Sequence, residues 1–277
     1  MALGVFSRLG RVRVTVAYAA TLVAVSVVLL ILGPYVQDRV LRHASTNLHN
    51  LAHGHFGTLL GSAFVVEAGP MWVWLPGLIC LLAVCETLFG SLRLIVAFAV
   101  GHIGATLLVA AGLAVAVESH WQEASVARAI DVGMSYGTAG ALGAITGAIP
   151  GRWRWRWVAW WVVVALVAVG LERDFTNVGH AVALMLGMVV STRFGPAHPW
   201  TPMRRVVAVP GVGFGFLMLA DTPQAMLVAA VAGTLAVAAV AVVQRKSSAR
   251  ASIQPDRRAC DGAEHAIARE ERDGDHL

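Results

Sequence analysis

The chain has 277 residues, of which 57% are hydrophobic and 13% charged, and its formal net charge is +5. Soluble domains carry about 25% charged residues, so this composition excludes a soluble globular protein and indicates a polytopic membrane protein. The basic residues lie in short clusters between apolar runs, so the positive charge reflects membrane orientation and does not indicate nucleic-acid binding.

Eight apolar runs are long enough to cross a bilayer, which takes about 17 to 25 helical residues. In chain order they are 14–33, 71–89, 93–117, 131–149, 155–171, 175–192, 206–220 and 224–243. The seventh contains Pro210 and several glycines, so the last pair are either two helices or one helix and a re-entrant piece. We therefore predict an all-α bundle of transmembrane helices.

The Lys and Arg residues, 21 in all, are divided unevenly between the two sides that eight crossings define. With the N-terminus inside, 17 of them lie inside and four outside. Because Lys and Arg favour cytoplasmic loops, we predict a multi-pass protein of the plasma membrane. Both its N- and C-termini are expected in the cytoplasm.

The first outer segment, 34–70, is long for a connector and mixes apolar residues with histidines. We predict an interfacial, half-embedded element. His49 and His53 are four residues apart and His55 follows, a spacing that can bind a metal ion. No cysteine or nearby carboxylate completes a ligand set, so we predict polar anchors and no metal site.

Residues 151–157, GRWRWRW, alternate arginine with tryptophan at the boundary of the fifth run. Such alternation can bind single-stranded nucleic acid. At the end of a span it is more typical of a loop that anchors in lipid headgroups, and we predict such a loop. The residues from 244 onward contain seven basic and seven acidic side chains, which is typical of a disordered tail.

Ionisable residues inside spans are costly and are therefore candidates for function. Glu86 stands near the inner end of the second span, close to Arg93, and we predict a structural ion pair or a helix cap. His102 lies near the middle of the third span without an obvious catalytic neighbour. We predict that it makes a buried interhelical hydrogen bond.

The fourth run contains one conspicuous serine, Ser135, among closely spaced glycines, which favours a position at the centre of the bundle. Ser135 lies four residues, about 6 Å, below Asp131, and His180 lies six residues, about 9 Å, below Asp174. The hydroxyl and the imidazole thus reach similar depths from the same side of the membrane. A nucleophile and its base require such a match.

Four strings resemble motifs of the rhomboid family of intramembrane serine proteases. They are LLGSAF (59–64), ETLFGSLR (86–93), GTAGALGAITG (137–147) and GHAVALMLG (179–187). The resemblance covers about residues 57–193 and implies a six-helix core entered from the cytoplasm, with a half-embedded first loop. It also implies a catalytic serine in the fourth span and a histidine in the sixth.

The apolar runs, the composition and the resemblance together divide the chain into four regions. They are a basic N-terminus (1–13), a rhomboid-like core (14–193), about two additional C-terminal spans (194–243) and a cytoplasmic tail (244–277).

The sequence departs from the family pattern at the nucleophile. A gapless match to the family's GxSG motif puts Ala139 where the family has serine, and Ser135 stands one turn earlier on the same helix face. The family also has an oxyanion-binding histidine and asparagine in the second span. The corresponding positions are Pro70 or Met71 and Trp74 or Leu75. Of these, only the indole N–H of Trp74 could donate to an oxyanion.

Two functions therefore remain open. The first is an intramembrane serine endopeptidase in which Ser135 attacks and His180 is the base, with single-span transmembrane proteins as substrates. The second is an inactive relative that binds or chaperones other transmembrane helices. Neither requires a cofactor, and the lipid bilayer is the partner common to both. A transporter is disfavoured because the spans show no inverted repeat.

Overall fold

A computed structural model of the chain describes residues 10–46, 54, 57–66, 71–121, 123 and 134–247. Within these residues there are ten helices and no strand. They are α1 (Arg13–Leu32), α2 (Pro34–Ala44), α3 (Thr58–Gly61), α4 (Met71–Phe89), α5 (Ser91–Glu118), α6 (Ser135–Ala144), α7 (Gly151–Glu172), α8 (Phe175–Ser191), α9 (Pro202–Leu219) and α10 (Pro223–Ser247).

The predicted all-α membrane bundle is confirmed. Six helices, α1, α4, α5, α7, α9 and α10, are long and apolar enough to cross a membrane. The fourth and sixth predicted spans are the shorter helices α6 and α8. The last two runs form two helices, because α9 continues through Pro210.

The glycine-rich helix α6 lies at the centre of the bundle. Every residue from Tyr136 to Ala144 is buried, and α6 contacts α4, α5, α8 and α9. A helix of ten residues is about 15 Å long, half the thickness of the hydrocarbon core. The backbone at its ends must therefore be satisfied inside the protein.

The C-terminal end of α6 obtains its hydrogen bonds from side chains of other segments. A 3₁₀ turn, Ile145–Ala148, continues the helix. The Arg154 Nε–H donates to the carbonyl of Ile149 at 3.2 Å, and the Trp200 indole donates to the carbonyl of Ala148 at 2.9 Å. These bonds allow a short helix to end within the membrane region.

A carboxylate of α4 caps the N-terminus of α1. Glu86 is 1% exposed and accepts hydrogen bonds from the backbone N–H groups of Val14 at 3.0 Å and Thr15 at 2.8 Å. The hydroxyls of Thr15 and Ser91 donate to it at 2.7 Å each. Of the two predicted roles, ion pair or cap, Glu86 thus takes the cap, and its partner is the first helix.

The first outer segment contains the amphipathic helix α2. Leu41 of α2 packs in a small apolar cluster with Leu29 and Val65, while Asp38 and Arg42 form an ion pair on the exposed side. Helix α2 thus has one packed and one exposed side, and the half-embedded position of the segment stays a prediction. The histidines considered as metal ligands, His49, His53 and His55, lie outside the described residues.

The Arg–Trp segment 151–157 is helical rather than the expected loop. It forms the first two turns of α7, directly after Pro150 at the N-cap position. Proline favours the start of a helix, and neither arginine nor tryptophan interrupts one. At the other end of the chain α10 extends to Ser247, and the rest of the expected tail lies outside the described residues.

Candidate functional site

The expected catalytic residues lie on α6 and α8, the two helices with the most extensive mutual contact. Glycines bring their backbones together. A Cβ on Gly143 would lie 2.1 Å from the carbonyl oxygen of Leu184, and one on Gly187 would lie 2.0 Å from that of Gly140. No larger residue fits either position, so the glycines fix both the separation and the rotation of the two helices.

Ser135 is the first residue of α6 and is half-buried. The next residue, Tyr136, is buried and lies against α8. Its ring occupies the space where a side chain at 179 would project, because a Cβ on Gly179 would lie 2.2 Å from the Tyr136 Cζ. The ring also meets His180 edge to face, with centroids 5.4 Å apart and planes at 84°.

His180 is 7% exposed, and neither of its ring nitrogens has a hydrogen-bond partner among the described residues. The Ser135 hydroxyl is therefore not hydrogen-bonded to the imidazole. A general base accepts a proton through a hydrogen bond of about 2.6–3.2 Å between the two heavy atoms. The side chain that contacts the His180 ring is instead the phenol of Tyr136. Ala139, one turn deeper, is fully buried and has no nucleophilic group.

Trp74 is the one expected side-chain donor to an oxyanion. Trp74 is half-buried and packs against the main apolar core. The backbone N–H groups expected to contribute begin at Gly133, which lies outside the described residues. The roles assigned to Ser135 and His180 remain predictions.

A second hydroxyl–imidazole pair, Ser62 and His102, was not expected from the sequence. Ser62 lies in the turn after α3, and its Oγ is 3.1 Å from His102 Nε2 on α5. Thr46 Oγ1 is 2.8 Å from Ser62 Oγ and 3.0 Å from the carbonyl of Thr58. Ser62 and His102 are only 1% and 5% exposed. The string LLGSAF contained this serine, but nothing in it indicated the histidine 40 residues later.

Proton accounting assigns this second pair a structural role. A carbonyl only accepts, so the single proton of Thr46 goes to Thr58. The proton of Ser62 then goes to Thr46, and Ser62 accepts from Nε2–H of His102. A serine that accepts from the imidazole is not activated by it. The predicted hydrogen bond of His102 is thus present, but it holds the outer segment rather than another spanning helix.

The same histidine lies in a π-helical segment of α5, Val100–Gly104. This segment packs on α6 so closely that a Cβ on Gly101 would lie 2.7 Å from the Gly140 Cα. π-Segments insert one residue into an α-helix and often occur at functional positions. Here the insertion lets one short stretch of α5 contact both the central helix and the outer segment.

Helix α9 packs along α4 and also contacts α6 and α7. A Cβ on Gly211 would lie 2.7 Å from the backbone nitrogen of Leu81, and one on Gly215 would lie 2.8 Å from the side chain of Leu142 on α6. α9 therefore covers the central helix on the side between α4 and α7. Another helix could reach α6 on this side only by displacing α9.

The order and packing of α1 and α4 to α8, with a short central fourth span and a histidine in the sixth, match the architecture that the sequence strings implied. The family model described as "Rhomboid-like protein" matches residues 10–193. The chain belongs to this rhomboid-like family. No curated protein and no solved structure matches the chain significantly.

In this rhomboid-like protein the matched residues contain the central helix, both hydroxyl–imidazole positions and the Glu86 cap, whereas α9 and α10 lie beyond them. Among the described residues, no group of three or more His, Cys, Asp or Glu side chains is placed to hold a metal ion.

Proposed function

We propose that this rhomboid-like membrane protein binds other transmembrane helices without cleaving them. The observation that carries the proposal is the position of Tyr136, whose ring lies against His180. The Ser135 hydroxyl makes no hydrogen bond to the His180 imidazole. A serine whose proton is not accepted by a neighbouring base is a weak nucleophile at neutral pH. The substitution of alanine at the family's nucleophile position supports the same conclusion.

The missing oxyanion donors also favour a non-catalytic role. Removing one such donor typically lowers the rate by about 100- to 1,000-fold. The family has donors at two positions of the second span. Here the first position corresponds to Pro70 or Met71 and the second to Trp74 or Leu75. Any hydrolysis would depend on backbone donors alone, or on the Trp74 indole.

The surface that we assign to a client helix is the open groove between α1 and α4. Only 17% of α1 is buried within the protein, and the groove is lined by apolar residues that include Ala20, Ala24 and Leu75. Two alanines four residues apart let a second helix approach closely within the membrane. A single-span transmembrane protein is thus the expected partner.

The proposal is tested by photo-crosslinking in native membranes. We would place a benzophenone amino acid at Val23 in the groove, in wild type and in Ser135→Ala, with Leu166 on α7 as a control position outside the groove. We expect the same intact membrane-protein partner with both Val23 proteins and none with Leu166. A partner that is shortened in wild type but intact in Ser135→Ala would refute the proposal.

The second candidate is the serine endopeptidase, with Ser135 as nucleophile and His180 as base. One observation favours it: His180 is buried at the same end of the bundle as Ser135, and both its nitrogens lack partners among the described residues. A rearrangement that withdraws Tyr136 would expose the imidazole to the serine. Fluorophosphonate labelling that is lost in both Ser135→Ala and His180→Ala would establish this candidate and exclude the first.

We also propose that the protein resides in the plasma membrane with both termini in the cytoplasm. The proposal rests on the 17 basic residues that eight crossings place on one side, against four on the other. The six helices long enough to cross a membrane, together with the shorter α6 and α8, support the even number of crossings on which this count depends.

A further inference from the structure

A cavity of 550 Å³ lies where α7 begins, on the side of the protein where α6 ends, and it is separate from the α6–α8 site. Its lining consists of three arginines, five tryptophans and four apolar residues. The arginines are Arg152 and Arg156 of α7 and Arg205 of α9. No acidic residue is among those that line it, so the cavity combines positive charge with an aromatic wall.

The alternating Arg–Trp pattern becomes two separate stripes once the segment is helical. Residues four apart share a helix face, so Arg152 and Arg156 point the same way. Arg154 points to the other side and donates to the carbonyl of Ile149 at the end of α6. The sequence repeat thus supplies two arginines to the cavity and one to the support of α6.

The cavity arginines have no acidic partner among the described residues, where the one ion pair is Asp38 with Arg42. Arg156 is held in place from two directions. Its Cζ lies 4.6 Å from the centre of the Trp153 ring, and its Nε–H donates to Gln244 of α10 at 3.0 Å. This leaves its terminal N–H groups for an anion, and Arg152 and Arg205 are exposed beside it.

The opposite wall of the cavity is apolar. It includes Val212 of α9, Val237 of α10 and the ring of Trp160. Trp160 is fixed against the backbone of α10, because a Cβ on Gly233 would lie 2.8 Å from its ring. The fully buried Trp161 also lines the cavity, and its indole N–H has no partner among the described residues.

We propose that this cavity is a binding site for one anionic phospholipid. The phosphate binds between Arg152, Arg156 and Arg205, since guanidinium groups hold phosphate through paired N–H bonds. An acyl chain follows the wall formed by Val212 and Val237. A soluble phosphate would use the arginines alone, whereas a lipid uses both walls. The site also ties the added helices α9 and α10 to α7 of the rhomboid-like core.

The test measures lipid retention by native mass spectrometry of the full chain with dioleoylphosphatidylglycerol or dioleoylphosphatidylcholine. We expect one tightly retained phosphatidylglycerol. In the double variant Arg152→Gln/Arg205→Gln its dissociation constant should rise about 25-fold, since each guanidinium in direct contact with the phosphate contributes on the order of fivefold to the affinity. The matched control Arg11→Gln/Arg193→Gln removes the same charge from exposed positions on the same face and should change the constant less than twofold.

Four further outcomes would overturn the proposal. Equal effects of the two double variants would mean a diffuse attraction with no site. Displacement of the lipid by millimolar glycerol phosphate, or an unchanged affinity in Val212→Trp, would mean that the apolar wall takes no part. Binding that develops only after the seven acidic residues of 248–277 are changed to amides would mean that the tail occupies the cavity in the native chain.

Discussion

At the scale of single residues, buried polar side chains hold helices together through hydrogen bonds. Glu86 shows this best, because its two oxygens accept four hydrogen bonds from α1 and from Ser91. Two of these satisfy N–H groups that a helix N-terminus leaves without an intrahelical partner. The carboxylate also carries the negative charge that this end of a helix favours.

We predict that Glu86→Gln lowers the free energy of unfolding by at least about 2 kcal/mol. Each Glu86 oxygen now accepts two hydrogen bonds, and the amide nitrogen of glutamine, which takes the place of one oxygen, cannot accept either of them. Each lost hydrogen bond to a charged group costs about 1.5–3 kcal/mol. Reversible unfolding in mixed micelles measures the change. The control Glu118→Gln, at an exposed residue, should stay within about 0.5 kcal/mol of wild type.

A second residue-scale prediction concerns Asp221, between α9 and α10. Burial, and next the neighbouring Glu172, raise the pKa of Asp221. A raised carboxyl pKa in the folded state destabilises the fold above the unfolded-state pKa, because the ionised form is disfavoured. Asp221→Asn should therefore raise the melting temperature at pH 7, and the gain should shrink toward zero as the pH falls below about 4. A gain that is the same at both pH values would contradict this explanation.

The relation of Ser135 to His180 shows where prediction from sequence stopped. Depth in the membrane follows from the rise per residue, which is a local property. Rotation about the helix axis is not local, since it depends on which glycines of α6 meet α5 and α8. A step of one residue turns the side chain by about 100°, and it is the neighbour, Tyr136, that meets the histidine.

At the scale of helices, the sequence predicted the existence of all eight helices and the approximate limits of the long ones, because the length of an apolar run is set by the bilayer itself. It did not predict that α6 would be so short or that residues 151–157 would be helical. The helical start of α7 follows from Pro150, a local signal that the interpretation of 151–157 as a loop did not use. The early end of α6 instead depends on a tertiary hydrogen bond, from the Trp200 indole to the carbonyl of Ala148. No local pattern encodes a partner some 50 residues away.

The glycines supply a matched pair of predictions for the helix packing. Gly187→Ala should destabilise the protein by about 1–3 kcal/mol or more, because its Cβ would lie 2.0 Å from the carbonyl oxygen of Gly140 and would force α6 and α8 apart. Gly112→Ala on α5 has nothing within 4 Å of the added atom. It should stabilise the helix by up to about 1 kcal/mol. Unfolding midpoints of the two variants that shift in the same direction would contradict this account.

At the scale of the whole molecule, the eight crossings that we propose place both ends of the chain on one side of the membrane. The end of α4 meets the turn that follows α8 there, as the Phe89 and Phe194 rings lie 5.4 Å apart. The Arg13 guanidinium reaches the start of α5 on the same side and donates to Ser91 at 3.3 Å. The basic N-terminal residues, the anionic-lipid cavity and the end of α10 therefore share one membrane surface.

This topology can be tested by labelling single cysteines in a variant without Cys80, Cys85 and Cys260. In intact cells a membrane-impermeant maleimide should modify Arg39→Cys and Glu118→Cys but not Arg11→Cys or Arg193→Cys. The second pair should react after the cells are opened. Labelling of Arg11→Cys and Arg193→Cys on opposite sides would require an odd number of crossings between them.

The cap on α1 has a consequence for the order of synthesis. Thr15 emerges from the ribosome 71 residues before Glu86, the residue that accepts its N–H. During that interval the newly inserted first helix has only water and lipid headgroups to satisfy its leading amides. Only when the second spanning helix arrives can α1 take its final depth. The nascent chain should therefore hold α1 loosely until about residue 90 has entered the membrane.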